Sequence, residues 1–106
     1  MTLPGKTKVY LDKDFQDIVP DFIEAYKKNI QEIKDALKSN NFQSLRTIGH
    51  NLKGTGGGYG FEEISQHGHK LNEAAKKEDV KAIKDLLPTM ESYFSRIEIV
   101  YKTFDY

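Results

Sequence analysis

The sequence predicts an all-α protein: an antiparallel four-helix bundle with a short extra N-terminal helix. Three observations carry that prediction. Apolar residues recur in steps of three and four through most of the chain, the spacing that lays one apolar stripe along a helix. Short polar connectors separate the stripes, which makes successive helices antiparallel neighbours. Seven of the eight glycines fall between Gly49 and Gly68, so most of the chain lacks the residue that weakens helix interiors.

Residues 1–11 read as an extended N-terminal segment. Asp12 or Asp14 can cap a first helical run, and the apolar positions Phe15, Ile18, Val19, Phe22, Ile23, Tyr26, Ile30, Ile33 and Leu37 form its stripe. Pro20 disfavours helix at the residue before it and suits a first turn. The reading is therefore a short helix to about Val19 and a long one from Pro20, ending at Ser39-Asn40-Asn41. Asn41 caps the second long helix, with Phe42, Leu45, Ile48 and Leu52 on its stripe. A third helix runs from about Phe61 through Ile64, Gly68, Leu71 and Ala75. The fourth starts after Asp79 and continues through Val80, Ile83, Leu87, Met90, Phe94, Ile97, Tyr101 and Phe104, kinked at Pro88.

Composition narrows the function. A chain of 106 residues makes one domain, residues 1–106. Sixteen Lys and Arg balance sixteen Asp and Glu, without the basic excess of a nucleic-acid binder. The absence of cysteine excludes disulfides, thiolate catalysis and cysteine zinc sites. No apolar run is long enough to span a membrane, and the N-terminus lacks the apolar stretch of a secretory signal. The expectation is a cytoplasmic monomer.

The informative stretch is Arg46-Thr47-Ile48-Gly49-His50-Asn51-Leu52-Lys53-Gly54. At ~100° per residue from Phe42, the residues Leu45, Ile48, Gly49 and Leu52 cluster between roughly 240° and 340°. His50 falls near ~80°, pointing away from that stripe, and Arg46, Lys53, Gly54 and Gly57 lie between roughly 20° and 120° beside it. A neutral imidazole is a nucleophile near pH 7. Flanking cations offer charge-assisted hydrogen bonds to an incoming phosphoryl group. Glycine inside a helix costs ~1 kcal/mol against alanine. Gly49, Gly54, Gly56 and Gly57 together would be an expensive choice that access for a bulky partner would justify.

Rival readings are weaker. An exposed histidine on a helix is usually only a solvated residue, and a glycine-rich stretch is usually a loop. The run Gly54-Thr55-Gly56-Gly57-Gly58-Tyr59-Gly60 has no Gly-x-Gly-x-x-Gly register, no following Lys-Ser/Thr and no preceding strand, so it is not a nucleotide loop. His67 and His69 point ~200° apart on a helix, which suits no shared metal. His67 reads as a boundary packing residue, and His69 as a rim residue on the flank of Asn72 and Lys76. No metal site is expected.

Gly49-His50-Asn51-Leu52-Lys53-Gly54, followed by Gly60-Phe61 and Ile64, resembles the histidine-containing phosphotransfer (HPt) domains of bacterial two-component phosphorelays. The likeness extends from about Val9 to Tyr101. It implies that His50 accepts a phosphoryl group on Nε2, that Lys53 pairs with the phosphate and that Gly54 keeps the site open. It also implies a polar pair on the facing helix, here Asn72 and Lys76, Asn72 being shorter than the amide or carboxylate more often found there. An apolar docking patch would come from Phe15, Ile18, Val19 and Phe22 together with the histidine helix. The implied partner is a receiver domain of a response regulator or hybrid kinase, which supplies the Mg²⁺, so this chain needs no cofactor of its own. The implied role is a phosphocarrier without kinase activity. Two other readings stand beside it: a helical interaction module in which His50 is incidental, and a histidine kinase fragment. The second fits less well, since Asn51 replaces the acidic residue that usually follows a kinase histidine.

Overall fold

The computed structural model describes residues 6–104. Four helices form the body: α1 (Val19–Lys38), α2 (Phe42–Tyr59), α3 (Glu62–Lys76) and α4 (Val80–Glu91). Two strands, β1 (Thr7–Asp12) and β2 (Ile97–Lys102), pair in parallel from Thr7 opposite Ile97 to Asp12 opposite Lys102. The whole helical body is the crossover between them.

One turn design joins all the helices. At each of the three connectors a residue adopts positive φ: Asn40, Gly60 and Glu78. The next N–H then reaches back five residues, Asn41 to the Ala36 carbonyl, Phe61 to Gly56 and Asp79 to Ala74, at 2.8, 2.7 and 2.9 Å. This ending satisfies carbonyls that a helix terminus leaves free. Asn41 and Asp79 at once cap the following helix, their side chains accepting from the Ser44 and Ala82 N–H groups. Gly60 has φ 93°, which glycine adopts without strain, and Leu11 packs against it. The glycine-rich run is therefore helical through Tyr59.

The core gathers Ile30, Ile33, Leu45, Leu52, Ile64, Leu71, Ile83 and Met90 from the four helices. An aromatic cluster closes the end nearest the strands. Phe61 stacks on Phe22 at 5.1 Å between ring centres, and meets Phe94 and Tyr93 edge-on. The Tyr26 hydroxyl donates to the Met90 carbonyl at 2.9 Å, giving a buried phenol its partner.

Two sequence expectations fail here. Among the described residues no extra N-terminal α-helix forms: Lys13–Phe15 is one 3₁₀ turn, and Asp12 accepts from the Asp14 N–H within it. The seven residues between Asp12 and Pro20 are too few to nucleate a stable helix. The upstream residues pair with β2 instead and bury Leu11. Nor does the fourth helix continue to Phe104. Pro88 offers no N–H to the Lys84 carbonyl, and the helix ends at Glu91, one turn later. A 3₁₀ turn at Tyr93–Ser95 leads into β2, where the β-branched Ile97, Ile99 and Val100 favour extended backbone.

Helices α2 and α3 cross at backbone distance. A Cβ on Gly49 would lie 2.6 Å from the Asn72 nitrogen and 2.7 Å from the Gly68 carbonyl oxygen. One on Gly56 would lie 2.8 Å from the Ser65 nitrogen, and one on Gly68 would collide with the backbone nitrogen of Lys53. Gly49 and Gly56 thus serve packing, which corrects the expectation that they open the site.

Candidate functional site

The histidine helix owes its orientation to the crossing. With Leu45, Gly49, Leu52 and Gly56 buried, the opposite side of α2 faces solvent. His50 stands there near mid-helix, exposed, with Arg46 one turn before it and Lys53 one turn after, both exposed. Among the described residues, neither cation has an ion-pair partner. Their charges are available to an incoming anion. Nothing lies within 4 Å of a Cβ placed on Gly54 or Gly58, and the nearest neighbour at Gly57 is Ser65 Oγ at 3.6 Å. The glycines on this side leave the approach to the imidazole open.

The facing helix contributes differently from what the sequence suggests. Asn72 does not spend its amide on the imidazole: Nδ2 donates to the backbone carbonyl of Arg46 at 2.9 Å. Lys76 is exposed and paired with Glu73 at 3.3 Å. His69 is exposed and shares a shallow groove with Lys53, Ser65, Gln66 and Lys70. Ser65 went unnoticed in the sequence, and its hydroxyl donates to the carbonyl of Lys53 at 2.8 Å. No sequence signal marks a contact made only across a helix crossing.

The four candidate docking residues separate. Ile18 is exposed, at 40%. Phe15 and Phe22 are half-buried against Tyr59, with ring centres 5.5 and 5.0 Å apart. Val19 is 1% exposed and belongs to the core, so it cannot meet a partner. A groove between α1 and α2 runs from Ile18 and Phe22 to Asn51 and Thr55, next to the histidine.

His67 is buried on the far side of α3. Its Nε2 lies 3.3 Å from Glu63 Oε2, the oxygen that also accepts from Arg96 at 2.7 Å. Nδ1 has no partner among the described residues. Burial lowers the imidazole's affinity for a proton, which outweighs the pull of Glu63. The unfolded chain takes up that proton near pH 6.5, while the folded chain resists it until lower pH. Stability is therefore full above that pH and falls as the solution is acidified below it. A urea series from about pH 7.5 to about pH 5.5 should show the midpoint dropping, and His67→Phe should flatten the slope. An unchanged slope in His67→Phe would assign the pH dependence to other groups.

The helical body presents an exposed imidazole between two exposed cations, a local charge that would attract an anionic group. The Hpt domain family model matches residues 17–99, and the chain belongs to that family. Its members carry phosphoryl groups in two-component signalling and interact with receiver domains; they are phosphocarriers rather than kinases. The match leaves β1 outside and stops within β2. No match to a curated protein or to a solved structure was found. Among the described residues, no helix is long and apolar enough to cross a membrane.

Proposed function

We propose that this chain is a phosphorelay intermediate: His50 accepts a phosphoryl group from the aspartyl phosphate of one receiver domain and passes it to another. The observation that supports it best is the exposed imidazole between the unpaired side chains of Arg46 and Lys53, open over Gly54. A ring nitrogen lone pair forms the P–N bond while the bond from phosphorus to the aspartyl oxygen breaks. The carboxylate departs with that electron pair, and the other ring nitrogen keeps its hydrogen. Lys53 and Arg46 donate charge-assisted hydrogen bonds to the phosphoryl oxygens. Onward delivery reverses these events at a second receiver. Ile18, with the half-buried Phe15 and Phe22, supplies the apolar part of the docking face, and His69 and Lys76 form its polar rim. This reading gives the chain no kinase activity and places it, as a monomer, in the cytoplasm.

Incubation with a phosphorylated receiver should transfer label to the chain, and ATP alone should not. Label from ATP alone would point to a kinase; none from any receiver would leave an interaction module. Access can be tested separately. Gly54→Gln should keep the fold, because helix propensity improves, yet slow transfer sharply by filling the space beside His50. Unchanged transfer in that variant would remove the role given to Gly54.

A further inference from the structure

We propose that Asn72 and Ser65 are positioning residues for His50, holding from α3 the backbone of the turns that carry it. The inference rests on the phosphoacceptor reading of His50 and extends it to residues that do not touch the phosphoryl group. Asn72 Nδ2 donates to the Arg46 carbonyl at 2.9 Å and Ser65 Oγ to the Lys53 carbonyl at 2.8 Å. The donors are seven residues apart, and so are the acceptors. The two bonds therefore grip α2 two turns apart, with His50 between them.

The carbonyls gripped are specific ones. In an α-helix the Arg46 carbonyl accepts the N–H of His50, and the Lys53 carbonyl accepts that of Gly57. A carbonyl has two lone pairs, so the Asn72 amide and the His50 N–H converge on one oxygen. The bare backbone at Gly49, Gly56 and Gly68 lets α3 come close enough for such short side chains to reach.

The need for this grip follows from the composition of the helix. Gly49, Gly54, Gly56, Gly57 and Gly58 all lie in α2, each weakening it relative to alanine. The glycines that open the site also soften the helix that aims the nucleophile. No hydrogen bond to the His50 ring is present among the described residues, so what fixes the nucleophile's place is the backbone from which the side chain projects. The stiffness that α2 lacks comes from α3. Reacting groups misplaced by ~1 Å can lose ~100-fold in rate.

The test uses the full chain and two readouts: single-turnover transfer from a phosphorylated receiver, and amide hydrogen exchange by NMR. Asn72→Ala should lower the transfer rate at saturating receiver by about 10-fold without shifting the half-saturating concentration. The His50 amide should exchange faster, while those of Ile33 and Leu87, inside α1 and α4, remain as in the wild type. Asn72→Asp, equal in shape but lacking the N–H donor, should expose the His50 amide as the alanine variant does. Ser65→Ala repeats both readouts from the other end, with the Gly57 amide in place of that of His50, and serves alone if Asn72→Ala does not fold. Wild-type protection of the His50 amide in Asn72→Asp and of the Gly57 amide in Ser65→Ala would overturn the clamp. So would exchange rising equally at these amides and at those of Ile33 and Leu87, since that marks only lost global stability. If the wild-type chain takes no phosphoryl group, the functional reading fails together with any part in transfer, while exchange still decides whether the clamp exists.

Discussion

Gly68→Ala should destabilise the bundle by about 3 kcal/mol, at the upper end of what overpacking costs. The added carbon would collide with the Lys53 nitrogen and sit 2.6 Å from the Gly49 carbonyl oxygen. Both obstacles are backbone, so no rotamer change relieves them, and α2 and α3 must separate along the crossing. Domains of this size are stable by only ~5–15 kcal/mol. The melting temperature should accordingly drop by more than about 10 °C. The same substitution at Gly54, where a Cβ meets nothing within 4 Å, should stabilise by up to about 1 kcal/mol through helix propensity. Opposite signs for one chemical change, measured by thermal or urea unfolding, would separate the packing glycine from the open one. Wild-type stability in Gly68→Ala would mean that the helices do not meet at backbone distance.

How much of this was legible in the sequence varies with the kind of interaction. The four helices follow from periodicity, and Asn41 and Asp79 announced two of their starts, because stripes and caps are local features. The exposure of His50, Arg46, Lys53 and Gly54 was also computable, since it needs only the helix angle and the apolar stripe. The end of the fourth helix was not. Phe94, Ile97, Tyr101 and Phe104 keep a three-and-four spacing by coincidence, and the run Ile97-Glu98-Ile99-Val100 reads equally as a strand once a partner is available. That partner is Thr7–Asp12, some ninety residues away. Its alternation of Val9 and Leu11 is too short to be decisive alone. β1 lies outside the family match and β2 only partly within it, so kinship gives least help there. Glycine roles were divided wrongly for a related reason. Gly49 already lay on the apolar stripe, but its partner Gly68 is on another helix, and only the crossing shows that the two exclude side chains together. The Asn72 and Ser65 bonds depend on that same crossing.

The largest functional effect is expected at His50. Glutamine keeps an exposed polar side chain at a helical position and leaves the fold intact, but it has no nucleophilic nitrogen. His50→Gln should therefore take no phosphoryl group from a phosphorylated receiver. His67→Gln should still take one, because the buried His67 ring beside Glu63 is out of a partner's reach. His69→Gln should also be labelled, since His69 lies outside the pair of cations that flank His50. Lys53→Ala should remain a slow acceptor. It loses one contact to a charged group worth roughly 1.5–3 kcal/mol, a slowing of about 10- to 100-fold, while the nucleophile stays in place.

The phosphoacceptor role of His50 is decided by the stability of the label in wild type and in His50→Gln after incubation with phosphorylated receiver. A phosphohistidine is lost in acid and survives base, whereas an aspartyl phosphate is destroyed by base. The wild-type chain should carry acid-labile, base-stable phosphate, and His50→Gln none. Acid-labile phosphate persisting on His50→Gln would contradict that role.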